Sequence, residues 1–194
     1  QYYGANAQQQ NIFTELDRVS TAQAAALPHA DSQNQKHPSS DSTKETAFRD
    51  IAALQEMNSD CIVWLTIADT TISYPLMQRK YKQDYYLSVD FNREPSAHGV
   101  PYLDNRCNLD SDILIVYGHQ MNDGSMFSEL HNYKNKEYTI DHSVITLETE
   151  NGISQYAVYA VMLVPGTYAK GEMSVYQSAE YQQESDFSSL IRYI

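Results

Sequence analysis

Near the N-terminus the apolar residues fall at helical spacing: Ile12, Phe13, Leu16 and Val19 line one side of an otherwise polar segment. That period predicts a short amphipathic helix, which has to bury its stripe against something. From 28 to 44 (PHADSQNQKHPSSDSTK) the pattern vanishes, with no large apolar residue and two prolines. Such a stretch cannot offset the entropy of ordering and predicts a linker. Ser42 followed by Glu45 then matches a capping box. Phe48, Ile51, Ala52 and Leu54 supply the apolar side of a second helix, ending near Asn58.

Beyond Asn58 the period becomes extended. Residues 61 to 67 (CIVWLTI) form a continuous β-favouring run suited to a strand buried on both faces. Residues 71 to 77 (TISYPLM) predict a second strand, with Pro75 requiring an edge or a bulge because it has no N–H. A short strand follows over 99 to 103 and a stronger one over 112 to 117 (DILIVY), which Gly118 breaks, leaving His119 at the strand's end. A helix is predicted over 125 to 133, capped by Asp123 or Ser125, with Met126, Phe127 and Leu130 inward. Residues 143 to 150 and 153 to 164 read as a hairpin joined through Asn151-Gly152. Tyr181, Phe187, Leu190, Ile191 and Ile194 suggest a helix that the end of the chain interrupts.

Composition narrows the function. With 13 Lys and Arg against 25 Asp and Glu, the formal charge is −12 and no basic cluster exists to neutralise a phosphate backbone, which argues against a nucleic-acid partner. No apolar run approaches the roughly 18 residues of a membrane-spanning helix, and QYYGANAQQQ lacks the basic flank and apolar stretch of a signal peptide. Cys61 and Cys107 are too few for a disulfide scaffold and have no C-x-x-C spacing. Cys61, within an apolar run, reads as a small buried hydrophobe. Cys107 stands in a polar loop beside Arg106, but Asp104 and Asp110 oppose any lowering of its thiol pKa. The histidines show no ligand-like spacing, and the acidic group Asp104, Asp110 and Asp112 lacks the glycine and glutamate of a calcium loop. The 16 tyrosines read as amphipathic residues of half-exposed strands rather than as a binding surface.

Several segments together resemble class B sortases, the cell-wall transpeptidases of Gram-positive bacteria. NSDCIVWLTIADTTISYPLMQ (58 to 78) is similar to their first two strands, and KQDYYLSVDFN (82 to 92) to the segment that follows. HGVPYLDNRCN (98 to 108) resembles the third strand with its Asp-x-Arg turn; DILIVYGHQMNDGSMFSELHNY (112 to 133) resembles the fourth strand, the catalytic histidine and the helix beyond. The likeness runs over roughly 45 to 194, in consistent order and spacing.

The fold implied by this resemblance is mainly β, a sortase-like β-barrel with N-terminal helices and a helix between late strands. Residues 1 to 44 would then be an N-terminal helix and polar linker forming a stalk, and 45 to 194 the catalytic domain. The implied activity is cleavage of a sorting-signal peptide through a thioester, with transfer of the acyl group to a cell-wall or pilin amine. His119 matches the family's catalytic histidine in Tyr-Gly-His; Gln120 replaces the usual asparagine. Histidine suits the acid–base task because its reference pKa of ~6.5 permits proton transfer in both directions near neutral pH. The family's Thr-Leu-x-Thr-Cys strand and following arginine strand have no counterpart in 1 to 194, so the chain by itself is expected to be inactive. No cofactor is implied. The implied partners are the sorting peptide and a peptidoglycan-precursor or pilin amine, at the cell surface, with a membrane anchor preceding Gln1. A noncatalytic peptide- or wall-binding module on the same scaffold stays open as an alternative, as does a purely structural wall domain. Without the last two strands, the apolar edge of 112 to 117 is expected to be covered by further polypeptide or by a second copy.

Overall fold

The computed structural model describes residues 2 to 24 and 49 to 163. The linker over 28 to 44, the capping box at Ser42 and Glu45, Phe48, and the helix after Tyr181 lie outside the described residues.

The apolar run 61 to 67 becomes the central strand β1 (Cys61–Ile67), buried on both faces as its composition predicts. It pairs antiparallel with β2 (Ser73–Met77) on one side and β5 (Val144–Thr149) on the other. β3 (Tyr102–Leu103) joins β2 in parallel at Met77, β4 (Val116–Tyr117) runs antiparallel to β3, and β6 (Gly152–Ala157) lies outside β5. The result is a mainly β architecture: one open, mixed six-stranded sheet in the order β4-β3-β2-β1-β5-β6. Pro75 lies opposite Trp64 at a point β3 does not reach, so β2 is locally an edge there and the missing N–H forfeits no ladder bond.

Several strand boundaries differ from the sequence expectation: 71 to 77 is strand only over Ser73–Met77, and 99 to 103 only over Tyr102–Leu103. The run 112 to 117 contributes only Val116 and Tyr117, because its partner β3 is two residues long; the one further bond, Asp104 N to Ile115 O, is 2.9 Å. The second half of 153 to 164 is not strand: β5 starts at Val144, and beyond Ala157 the pairing ends with one further bond, Val158 N to Ser143 O at 2.7 Å. The hairpin turn is Glu150-Asn151 rather than Asn151-Gly152, and its positive φ (138°) falls on Gly152, the first residue of β6. Among the described residues no strand pairs with the outer side of β4, so the expected cover over 112 to 117 is not seen there. The exposed ladder is also shorter than expected, two residues instead of six.

The helices follow local chemistry. α1 (Tyr2–Ala24) extends well past its apolar stripe, as a segment rich in alanine and glutamine allows. α2 (Ile51–Met57) is capped by Asp50, whose side chain accepts from Ala53 N; Ala53 is buried and Ala52 exposed, the reverse of the expected side. After β4 a 3-10 helix (Phe127–Lys134) replaces the expected α-helix, and α3 (Lys136–Asp141) follows, capped by Asn135. Met126 and Phe127 pack inward, but Leu130 is exposed; Tyr133 takes an inward place, its OH donating to His142 O at 2.6 Å.

α1 lies on the body of the domain. Phe13 and Leu16 join Ile51, Leu54, Trp64 and Tyr74 in the core, with the Phe13 and Tyr74 rings 4.9 Å apart. Arg49 donates to Asp17 of α1 at 2.7 Å and to Glu148 of β5, with its guanidinium 4.8 Å from the Trp64 ring centroid. The α1 stripe therefore buries its apolar residues in the same core as α2 and the sheet.

Candidate functional site

His119 stands two residues past β4, and its surroundings follow from the residues beside it. A Cβ on Gly118 would come within 2.5 Å of the Phe127 ring, so a glycine is what lets the chain leave β4 against that ring. The loop after His119 closes on itself: Phe127 N donates to His119 O at 2.9 Å, and Gln120 bridges Met126. Met126 takes φ 56° while fully buried, strain sustained by its packing and by Tyr74 OH donating to its carbonyl at 3.3 Å.

The His119 ring is half-buried and outside the apolar core. Its Nε2 lies 2.8 Å from Leu87 O; a carbonyl only accepts, so Nε2 carries the proton and Nδ1 is the nitrogen left to take one. Beside it, Tyr117 OH donates to Asp104 at 2.8 Å, and the Tyr102 and Tyr117 rings lie 5.4 Å apart. Asp104, 2% exposed, also receives the Arg106 guanidinium at 2.8 Å and the Arg106 N–H. The bond from Arg106, opposed by burial and aided by the Arg106 N–H and Tyr117, holds the Asp104 carboxyl down at about 2. Burial, with the Asp104 carboxylate beside it, pushes the Tyr117 hydroxyl up to about 12, so it stays a neutral donor. The Asp-x-Arg turn thus anchors the strand that delivers His119.

Neither cysteine is exposed. Cys61 is fully buried and burial pushes its thiol up to about 12; Cys107, expected in an open polar loop, is 4% exposed. Among the remaining histidines, His142 stacks on Tyr138 at 4.0 Å and bonds Tyr138 O, while His131 lies exposed beside Lys134 and Gln120. His29 and His37 lie outside the described residues. His98 is different: it is 1% exposed with Nε2 3.0 Å from Asp123 Oδ2, a pair between residues 25 apart that no local spacing announces. Its only sequence trace is the Asp123-x-Ser125 pattern, realised as an Asx turn with Ser125 N and Oγ on Asp123 Oδ1 at 3.0 and 2.6 Å. Among the described residues no group of three or more His, Cys, Asp or Glu is arranged to hold a metal ion. A cavity of about 500 Å³ is lined by α1 residues such as Ile12 and Leu16 with Met57 and Asn92, and His119 is not part of it.

No protein-family model matches the chain. Sortase B of Listeria monocytogenes is 34% identical over 142 residues, 72% of this chain and 54% of the relative. The solved structure of a sortase B from Listeria monocytogenes, 31% identical, superposes with a TM-score of 0.63 over 73% of this chain and 78% of that one. A Staphylococcus aureus sortase B-substrate complex is 26% identical with a TM-score of 0.63, covering 74% of this chain and 64% of that one. Sortase B from Bacillus anthracis, in complex with AAEK1, shares the fold at 24% identity with a TM-score of 0.71, covering 99% of this chain and 80% of that one. The chain spans about half the length of the curated relatives it matches. A half-barrel sheet whose fourth strand delivers a Tyr-Gly-His turn, together with these likenesses in sequence and in fold, places the chain in the class B sortase family.

Proposed function

We propose that this chain is part of a cysteine transpeptidase that cleaves a sorting-signal peptide and passes the acyl group to a cell-wall or pilin amine, with His119 as its acid–base residue. The observation that carries this reading is the state of the His119 ring: half-exposed, outside the core, with Nε2–H engaged on Leu87 O at 2.8 Å and Nδ1 left as a base. In this role Nδ1 takes the proton of the attacking thiol and gives it to the departing amine as the thioester forms; it then takes a proton from the incoming amine and returns it to the thiolate released when the new amide forms. Asp104 and Arg106 hold Tyr117, and through it the approach to the site. The staphylococcal relative is solved as a sortase B-substrate complex, which supports a peptide-binding role here. The catalytic domain at 45 to 194 belongs to a cell-surface, membrane-anchored protein, and α1, with Phe13 and Leu16 buried in that domain's core, is part of its body rather than of a stalk; among the described residues no helix is long and apolar enough to cross a membrane. The burial of Cys61 and Cys107 supports a nucleophile other than either of them.

The test is an assay of the full-length gene product with a fluorogenic Asn-Pro-type sorting peptide and an amine acceptor. Cleavage and transfer are expected, and His119→Ala is expected to lower kcat by roughly 10²- to 10⁴-fold, the usual contribution of an acid–base group. The 1 to 194 chain is expected to form no thioester. A full-length protein that binds the peptide without cleaving it would instead favour a binding module.

A further inference from the structure

The segment 96 to 100 touches both supports of His119. On one side, Gly99, at φ 59°, presses its backbone against the carbonyls of Tyr86 and Leu87: a Cβ there would lie 2.4 Å from Tyr86 O and 2.9 Å from Leu87 O. Val100 N donates to Tyr86 O at 2.9 Å. Leu87 O is the acceptor for His119 Nε2. On the other side, His98 Nε2 meets Asp123 Oδ2 at 3.0 Å, in the loop that begins at His119. Burial raises the Asp123 carboxyl, but bonds from His98 and Ser125 outweigh it and hold it at about 2. A carboxylate only accepts, so His98 Nε2 is the donor. His98 Nδ1 is buried with no hydrogen-bond partner, so Asp123 is the one polar contact its ring makes. The segment is itself braced from α1, where Gln9 Nε2 donates to Gly99 O at 2.9 Å and Gln9 Oε1 accepts from Ser96 Oγ at 3.0 Å.

We infer that His98 is a positioning residue: by donating to Asp123 it ties the loop that follows His119 to the segment packed against the Leu87 carbonyl, and so sets the orientation and tautomer of His119. A hydrogen bond to one ring nitrogen decides which nitrogen of a histidine is free to act, and that bond survives only while ring and acceptor keep their register. The consequence for catalysis rests on His119 acting as proposed above; the coupling itself does not.

The experiment is ¹⁵N NMR of the imidazole rings in the 1 to 194 chain, without substrate, at a pH where His119 is neutral. Wild type is expected to show one His119 tautomer, protonated at Nε2. His98→Leu, which keeps bulk but donates nothing, is expected to lose that single tautomer to a mixture. His98→Gln, whose amide N–H takes the place of Nε2–H, is expected to restore it. Should His98→Leu not fold, Asp123→Ala removes the acceptor from the more exposed side of the pair and is expected to give the same mixture. A folded His98→Leu or Asp123→Ala protein with His119 unchanged overturns the inference, and so does a folded His98→Gln protein that fails to restore the wild-type tautomer. Because no turnover is read, failure here leaves the transpeptidase assay untouched. An inactive full-length enzyme would equally leave the coupling standing.

Discussion

Asp104 shows what one carboxylate contributes when its partners are fixed. It is almost fully buried, and its folded pKa of about 2 lies below its ordinary value of 3.8. A group whose folded pKa is depressed adds stability that is fully present above the unfolded value and is lost as pH falls through the folded one. The window is therefore from about 4 down to about 2, and the contribution is on the order of 2 kcal/mol. Asp104→Asn is expected to unfold at lower urea concentration than wild type at pH 7, with the gap closing as pH is lowered through that window. Urea titrations at a series of pH values check this, and a gap constant with pH would rule it out. Sequence reading found the Asp-x-Arg turn, but not that Tyr117 completes it, because Asp104 and Tyr117 meet only when β3 and β4 pair.

Between β4 and the following 3-10 helix, Gly118 is the element-scale constraint. Its open side is filled by the Phe127 ring, and Phe127 N in turn closes the loop on His119 O. Gly118→Ala forces that ring to move from a half-buried seat beside Tyr74, where the centroids are 6.4 Å apart. Overpacking of this kind costs about 1 to 3 kcal/mol. The variant is expected to show that loss in chemical denaturation, with altered Phe127 and His119 resonances; unchanged resonances would mean the ring is not held as described. In sequence, Gly118 was legible as the end of a strand. Its role as a fitted contact was not, since Phe127 is nine positions away and meets it only after the loop closes.

For the whole molecule, Arg49 joins α1 to β5. It lies between Asp17 and Glu148 over the Trp64 ring, and its side chain and that of Glu148 are 15% and 10% exposed. Removing one partner of such a pair leaves a charge desolvated without compensation, commonly costing 3 to 5 kcal/mol. Arg49→Met is expected to lose about that much in equilibrium unfolding and to raise amide exchange along α1. Adding Glu148→Met is expected to recover most of the loss, because the two buried charges then go and the Asp17 carboxylate that remains is 46% exposed to water. If the double variant is as unstable as the single one, packing of the guanidinium rather than charge pairing is what holds α1.

The sequence by itself determined what depends on local period and on short motifs. The central strand is fixed by an unbroken apolar run, the α1 stripe by its spacing, the place of His119 by its position after Tyr117 and Gly118, and the family by the order of such segments. Tertiary structure decided what depends on partners distant in the chain. It set how much of 112 to 117 and 153 to 164 is strand, because a ladder ends where its neighbour ends. It buried Cys107 despite a polar local sequence, and it brought His98 to Asp123 and His119 to Leu87. Periodicity records which face of an element avoids water. It carries no record of which distant carbonyl or carboxylate will meet a given side chain, because that is settled only when the elements pack.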